Sequence, residues 1–192
     1  MKLLHLDSSI QGDGSVSRAV SAAIVARLSA QDGALDVTYR DLAAAPLPHL
    51  TLDRFGSNEG QAIVDEFLAA DIVVIGAPMY NFSISSQLKA WIDHVAIAGK
   101  TFKYTEQGAV GLAGDTRVII ALSRGGIYSD GSPQAEIEHA ERYLRAVLAF
   151  FGITNPEIIV AEGIALGPDH REAALNGALA AVEGVAAQPV AA

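Results

Sequence analysis

At 192 residues, half of them hydrophobic (51%), the chain is long enough to bury a substantial core and reads as one domain covering 1–192. It contains no cysteine, which excludes disulfides, thiolate metal sites and cysteine nucleophiles, and no apolar run approaches the ~20 residues that span a bilayer. The net charge of −9 argues against nucleic acid or an anionic membrane as partner, and with no export signal in MKLLHLDSS the expected compartment is the cytoplasm.

Residues 2–6 read as a short apolar strand. Residues 7–17, DSSIQGDGSVS, place four serines and two glycines in eleven positions, each serine a candidate hydrogen-bond donor. Helical spacing of Val20, Ile24 and Leu28 predicts a helix over 18–30, stopped by Gly33. Residues 35–39 alternate as a second strand, and 40–58 form a long connection carrying Pro46 and Pro48. A helix over 61–70 turns Ile63, Val64, Phe67 and Leu68 inward.

The next stretch, residues 71–94, organises the chain. Ile72 to Ile75 is a continuous apolar run, as in a strand buried on both faces, and Pro78 is expected to end it because proline cannot donate to a ladder. Met79, Tyr80, Asn81 and Phe82 then make an unusually aromatic loop for a chain with 6% aromatics. Ser83 or Ser85 caps a helix running to 98, with Leu88, Trp91, Ile92 and Val95 on its buried face. Residues 99–114 lack periodicity and include TFKYT, a long connection of the kind that carries function.

Residues 117–122 are a fourth strand running into Ser123-Arg124-Gly125-Gly126. The spacing of Ile137, Ala140, Leu144, Val147, Leu148 and Phe151 predicts a helix over 134–151, and the adjacent Phe150 must face elsewhere, toward a pocket or a subunit interface. Residues 157–161 are a fifth strand and 169–185 a last helix with Leu175, Leu179 and Val182 aligned, before an Ala-rich tail expected to fray. Five strands alternating with five helices imply an α/β fold, a doubly wound parallel sheet with helices on both faces.

Three loops, after strands one, three and four, then share the carboxyl edge of the sheet, where such folds bind ligands. The first offers neutral hydroxyls and open backbone N–H groups just before a helix, which suits a phosphate; the alternative is a hydrophilic connection whose serines only cap the helix. Residues 12–17 match GxGxxG except for Ser17, but residues 7–11 separate them from the strand, and no Walker A ending is present. Residues 121–125 fall one glycine short of a GxSxG elbow, which leaves a Ser123 hydrolase as a third reading. The histidines His5, His49, His94, His139 and His170 show no metal-ligand spacing, so no metal is expected, and the carboxylates read as solvated faces.

With these loops in view, the chain resembles the FMN-dependent NADH:azoreductase family, quinone reductases of flavodoxin-like fold. The resemblance runs nearly end to end. It is carried by APMYNF at 77–82 with Ser85, Leu88, Lys89, Trp91, Ile92 and Asp93 behind it, and by TFKYT at 101–105, SRGG at 123–126 and FFGI at 150–153. The connection between Pro48 and Gln61 is short for the family, which bears on the mouth of the pocket.

The resemblance implies FMN with its phosphate on Ser9, Ser15, Val16 and Ser17. Met79, Tyr80, Asn81 and Phe82 would hold the ribityl chain and isoalloxazine ring, and Ser123, Arg124, Gly125 and Gly126 the ring's far edge. Tyr104 and Phe150 would line the substrate pocket. No catalytic acid or base is implied, since the cofactor carries the chemistry. NADH would reduce the flavin, a quinone or azo compound would be reduced in turn, and the enzyme would be a homodimer with pockets built from both subunits. A reading from another class is a non-enzymatic flavodoxin-like electron carrier with the same fold and the same FMN.

Overall fold

The structure, a computed structural model, describes residues 1–54 and 57–186. Residues 187–192 of the tail expected to fray, and part of the connection between Pro48 and Gln61, lie outside the described residues. Chain order runs β1 (Lys2–Asp7), α1 (Val16–Gln31), β2 (Asp36–Asp41), α2 (Asn58–Leu68) and β3 (Ile72–Tyr80). It continues through β4 (Ser83–Ile84), α3 (Ser86–Val95), β5 (Phe102–Thr105), β6 (Gly108–Gly111) and β7 (Arg117–Arg124). The last elements are α4 (Ala140–Phe150), β8 (Glu157–Glu162) and α5 (Pro168–Val182).

The parallel strands stand in the order β2-β1-β3-β7-β8, the arrangement of a doubly wound sheet. Their side chains alternate between two cores, as period-2 geometry requires. Val73, Ile75, Ile120 and Leu122 face Phe67, Leu88, Trp91, Leu144 and Phe151 of the α2–α4 layer. Ile72, Val74, Ile119 and Ala121 face Val20, Ile24 and Leu28 of α1 and Ala178 and Val182 of α5. The direction of winding reverses between β1 and β3, so the loops leaving their carboxyl ends part and open a crevice there.

Several elements differ from expectation, each for a local reason. β3 does not stop at Pro78: it pairs on through Pro78↔Ser123 and ends at Tyr80. The Pro78 nitrogen points to the same side as Gly76, toward β1, which has already ended at Asp7, so the missing N–H leaves no gap in the ladder. Ser83 lies in β4, antiparallel to β3, and Ser85 is the cap of α3, its hydroxyl accepting the Leu88 N–H at 3.2 Å. The aperiodic segment 99–114 contains the β5–β6 hairpin, a separate two-stranded sheet.

α4 begins six residues later than its apolar spacing predicts. Residues 135–137 form a 3-10 turn, and Glu138 then accepts the N–H groups of Glu141 and Arg142 at 2.9 and 3.3 Å, which starts the helix there. Ile137 is left exposed. β2 is an edge strand with Val37 and Tyr39 exposed, and Leu68, expected inside, lies at the surface end of α2.

Candidate functional site

The loop after β1 is tied to the central strand by its first serine. Ser8 donates to the Gly76 carbonyl through both N–H (3.2 Å) and hydroxyl (2.9 Å). A Cβ at Gly76 would overlap the Asp7 carboxylate, so this close approach requires glycine. The Ser9 hydroxyl and the Ile10 N–H both meet the Tyr80 hydroxyl at 3.2 Å, which joins this loop to the end of β3. Ser15 caps α1, accepting the Arg18 N–H at 3.3 Å, and its hydroxyl lies 3.1 Å from that of Ser17. The first N–H groups of α1, at Val16 and Ser17, have no acceptor within the helix and point with the positive end of its dipole toward these hydroxyls.

Arg18 stands beside the loop but its guanidinium is fully engaged. It pairs bidentately with Asp41 at 2.7 Å on both arms and donates to the Ser9 carbonyl at 2.8 and 3.2 Å. The Asp41 hydrogen bond raises the Arg18 pKa, and the same bond holds the Asp41 carboxyl down at about 2 against the opposing effect of burial. Behind it, Asp7 accepts from Ser21 (2.8 Å) and from Tyr39 (3.2 Å), and burial together with Asp7 pushes the Tyr39 hydroxyl up. Arg18 therefore shapes the loop through Ser9 while its charge is taken up by Asp41, which leaves the loop's hydroxyls as neutral donors. A neutral donor set at a helix N-terminus fits a phosphomonoester.

The second loop is a hairpin turn. Asn81 and Phe82 connect β3 to β4 with φ of 48° and 70°, both left-handed, as a two-residue primed turn demands. Asparagine tolerates this region; a phenylalanine there costs on the order of 1–3 kcal/mol and persists only when its surroundings hold it. They do. The Phe82 carbonyl accepts the His139 N–H at 2.9 Å, at the start of α4, and its ring meets Tyr128 edge-on at 6.3 Å.

The third loop leaves β7. Ser123 is extended and buried within the strand, paired with Pro78 and Ala161, and among the described residues no histidine is hydrogen-bonded to it; the sharp turn a nucleophilic serine needs is absent. The carbonyls of Arg124, Gly125 and Gly126 accept the N–H groups of Ile164, Ala165 and Gly163 at 3.2, 2.9 and 2.8 Å. The Arg124 side chain turns into the protein, 3% exposed, toward Glu141 (2.6 Å), Glu162 (3.4 Å) and Glu138 (3.5 Å). What this position offers a ligand is backbone. Glu162 also accepts from the N–H groups of Tyr128 and Ser129 and from the Ser129 hydroxyl; burial works against its carboxylate, but these donors and Arg124 outweigh it and the pKa lies low.

Beside the hairpin lies a cavity of about 860 Å³, within the range of small-molecule sites. Ile10, Met79, Tyr80 and Asn81 line one side, Gln87, Lys89 and Tyr143 another. Lys89 donates to Asp93 at 2.5 Å, and burial raises the pKa of Tyr143 despite the neighbouring ammonium.

The structure thus brings together Ser9, Ser15, Val16, Ser17, Met79, Tyr80, Asn81, Phe82, Ser123, Arg124, Gly125 and Gly126 at one sheet edge. It does not bring Tyr104 and Phe150 to them. Both rings pack on Phe102, at 5.4 and 4.4 Å, at the carboxyl end of α4, whereas Phe82 contacts its amino end. The eleven residues between correspond to about 16 Å of helix. Tyr104 is 74% exposed.

Sequence reasoning missed Tyr128, Glu138, Glu141 and Glu162. An aromatic two residues past a Gly-Gly pair was a visible cue for Tyr128. The carboxylates carried none, since Glu138, read as a solvated face, is buried only by tertiary packing.

A family model described as flavodoxin-like fold matches residues 1–185. An FMN-dependent NADH:quinone oxidoreductase of Methylorubrum populi is 61% identical over 194 residues, covering 93% of this chain and 96% of that protein. The solved structure of an azoreductase from Bacillus anthracis superposes with a TM-score of 0.86 at 32% identity, covering 96% of this chain and 97% of the other. An FMN-dependent NADH-azoreductase from Bacillus anthracis, solved in complex with FMN, superposes at 0.84 with 27% identity, covering 95% and 96%.

Proposed function

This chain belongs to the flavodoxin-like family, and we propose that it is an FMN-dependent NADH:quinone oxidoreductase that also cleaves azo compounds reductively. The observation that carries this reading is the crevice itself: neutral donors at a helix N-terminus, a strained aromatic turn and a glycine-containing loop on one sheet edge. FMN, when bound, supplies the chemistry, accepting a hydride from NADH and delivering two electrons to the acceptor.

The protein's part is placement. Ser9, Ser15, Ser17 and the N–H groups of Val16 and Ser17 hold the phosphate. Met79, Tyr80, Asn81 and Phe82 flank the ribityl chain and ring, with the Phe82 turn fixed before any ligand arrives by His139 and Tyr128. Ser123, Gly125 and Gly126, with the Arg124 backbone, close the far edge. No side chain is required as acid or base, and the cavity beside Asn81 receives the flat, apolar acceptor.

Residues 1–192 act as one FMN-binding domain, working in the cytoplasm as a homodimer. Tyr104 and Phe150, too far from the crevice of their own chain, line the pocket of a second copy. The cavity beside the hairpin favours an enzyme over a carrier, which needs only a docking face for a protein. Steady-state oxidation of NADH with a soluble quinone, with and without added FMN, tests the reading. FMN-dependent turnover is expected; binding of FMN with almost no turnover would make the protein an electron carrier.

A further inference from the structure

The Arg124 side chain turns into the protein, and it lies where three elements meet. Glu162 belongs to β8, Glu141 to the first turn of α4 and Glu138 to the residues just before it, so the guanidinium bridges the far end of the sheet to the helix. Each carboxylate has a second task. Glu162 holds the N–H groups of Tyr128 at 3.0 Å and Ser129 at 3.2 Å, which fixes the chain just past Gly126. Glu138 holds the first N–H groups of α4, and the helix in turn presents the His139 N–H to the Phe82 carbonyl. Tyr128 and Phe82 then meet ring to ring.

The Gly125–Gly126 loop and the Asn81–Phe82 turn are therefore coupled twice, once through α4 and once through Tyr128, and both routes pass through the partners of Arg124. A planar forked cation suits this role, because its two arms hold carboxylates at a fixed separation in one plane, whereas a lysine ammonium is a single point of charge with no fixed fork. Three carboxylates surround this one cation, and Arg145 meets the other oxygen of Glu141 at 2.9 Å.

We propose that Arg124 is a positioning residue for the flavin ring: without reaching the ligand, its buried guanidinium sets the spacing between the Gly125–Gly126 loop and the Phe82 turn. The proposal rests on the flavin reading above. It extends that reading to a residue whose side chain the ligand does not touch.

The test is equilibrium binding of FMN and of riboflavin, followed by flavin fluorescence quenching, with the visible circular dichroism of the bound flavin recorded alongside. Arg124→Lys keeps the charge and removes the fork. It is expected to raise the Kd for both flavins by about tenfold and to change the visible dichroism, because misplaced binding groups lose affinity without being lost themselves. The equal loss for FMN and riboflavin follows from an undisturbed phosphate loop. Glu162→Gln, which retains an acceptor for Tyr128 and Ser129, is expected to act in the same direction more weakly, and it carries the test if the lysine variant does not fold. Variants that melt at lower temperature yet bind both flavins with parental Kd and dichroism would overturn the proposal and leave Arg124 a purely structural residue. Failure of the parent protein to bind FMN would instead remove the flavin reading, and that result is read from the parent alone.

Discussion

The β3–β4 hairpin turns through Asn81 and Phe82 in left-handed conformations, clamped from outside by the His139 N–H and the Tyr128 ring. The β5–β6 hairpin turns through residues 106–107 with its left-handed position at a glycine, Gly108, and is closed by its own Thr105 hydroxyl on the Gly108 carbonyl at 2.8 Å. One places strain on an aromatic residue and surrounds it with partners; the other is relaxed and holds Tyr104 out into solvent. Under the proposed function, the difference separates a surface prepared for a ligand within the chain from one that a second copy completes. It also assigns the two hairpins different kinds of damage when they are altered.

The largest expected effect is at the far hairpin. A Cβ at Gly111 would overlap the backbone of Phe151 and Gly152, so Gly111→Ala should cost about 3 kcal/mol and lower the melting temperature by roughly 10 °C. The folded fraction should still bind FMN with parental affinity, because the three crevice loops are untouched. A melting curve that does not move would show that this packing does not hold the hairpin to α4.

Phe150→Ala comes next. It should weaken subunit association by about 2 kcal/mol, read by sedimentation, and raise the KM for a quinone while leaving the FMN Kd unchanged. Loss of FMN affinity with unchanged association would place Phe150 in its own chain's site and erase the distinction between the hairpins.

On the crevice side, Ser15→Ala removes the α1 cap and the hydroxyl beside Ser17. A loss of about 1 kcal/mol in stability is expected in chemical denaturation, together with a larger loss of affinity for FMN than for riboflavin. Equal loss for the two flavins would move the phosphate elsewhere. The smallest effect is graded by pH. Asp41 falls from an ordinary value of 3.8 to about 2 on folding, so its bond to Arg18 contributes stability in full above about pH 4. That contribution fades as pH drops toward 2, and Asp41→Asn should flatten this part of the stability–pH curve.

The parts of the fold read from sequence are those where one residue type has one physical consequence. Unbroken apolar strands such as Ile72 to Ile75 can only be buried, and the spacing of Val20, Ile24 and Leu28 gives a helix with one inner face. The β5–β6 hairpin escaped because its outward residues, Lys103, Tyr104 and Val110, follow no alternation of buried and exposed positions that a sequence displays. Pro78 misled because the rule about proline depends on which neighbour its nitrogen faces, and the end of β1 at Asp7 decides that. The late start of α4 hangs on Glu138, whose carboxylate reads like any surface acid until Arg124 is placed beside it. In the candidate site, the serines, the aromatic turn and the SRGG run were visible as chemistry. The clamp behind them was invisible, being made across 17 and 38 residues of sequence separation.

The central claim is that the crevice is a flavin site that passes electrons from a nicotinamide to a small acceptor. An anaerobic titration tests it most directly: load the protein with FMN, add NADH, and follow the visible flavin band, then add a quinone. Rapid bleaching followed by full return of the band on adding quinone is the predicted result. A band that stays oxidised with NADH, or protein that takes up no FMN, would contradict it.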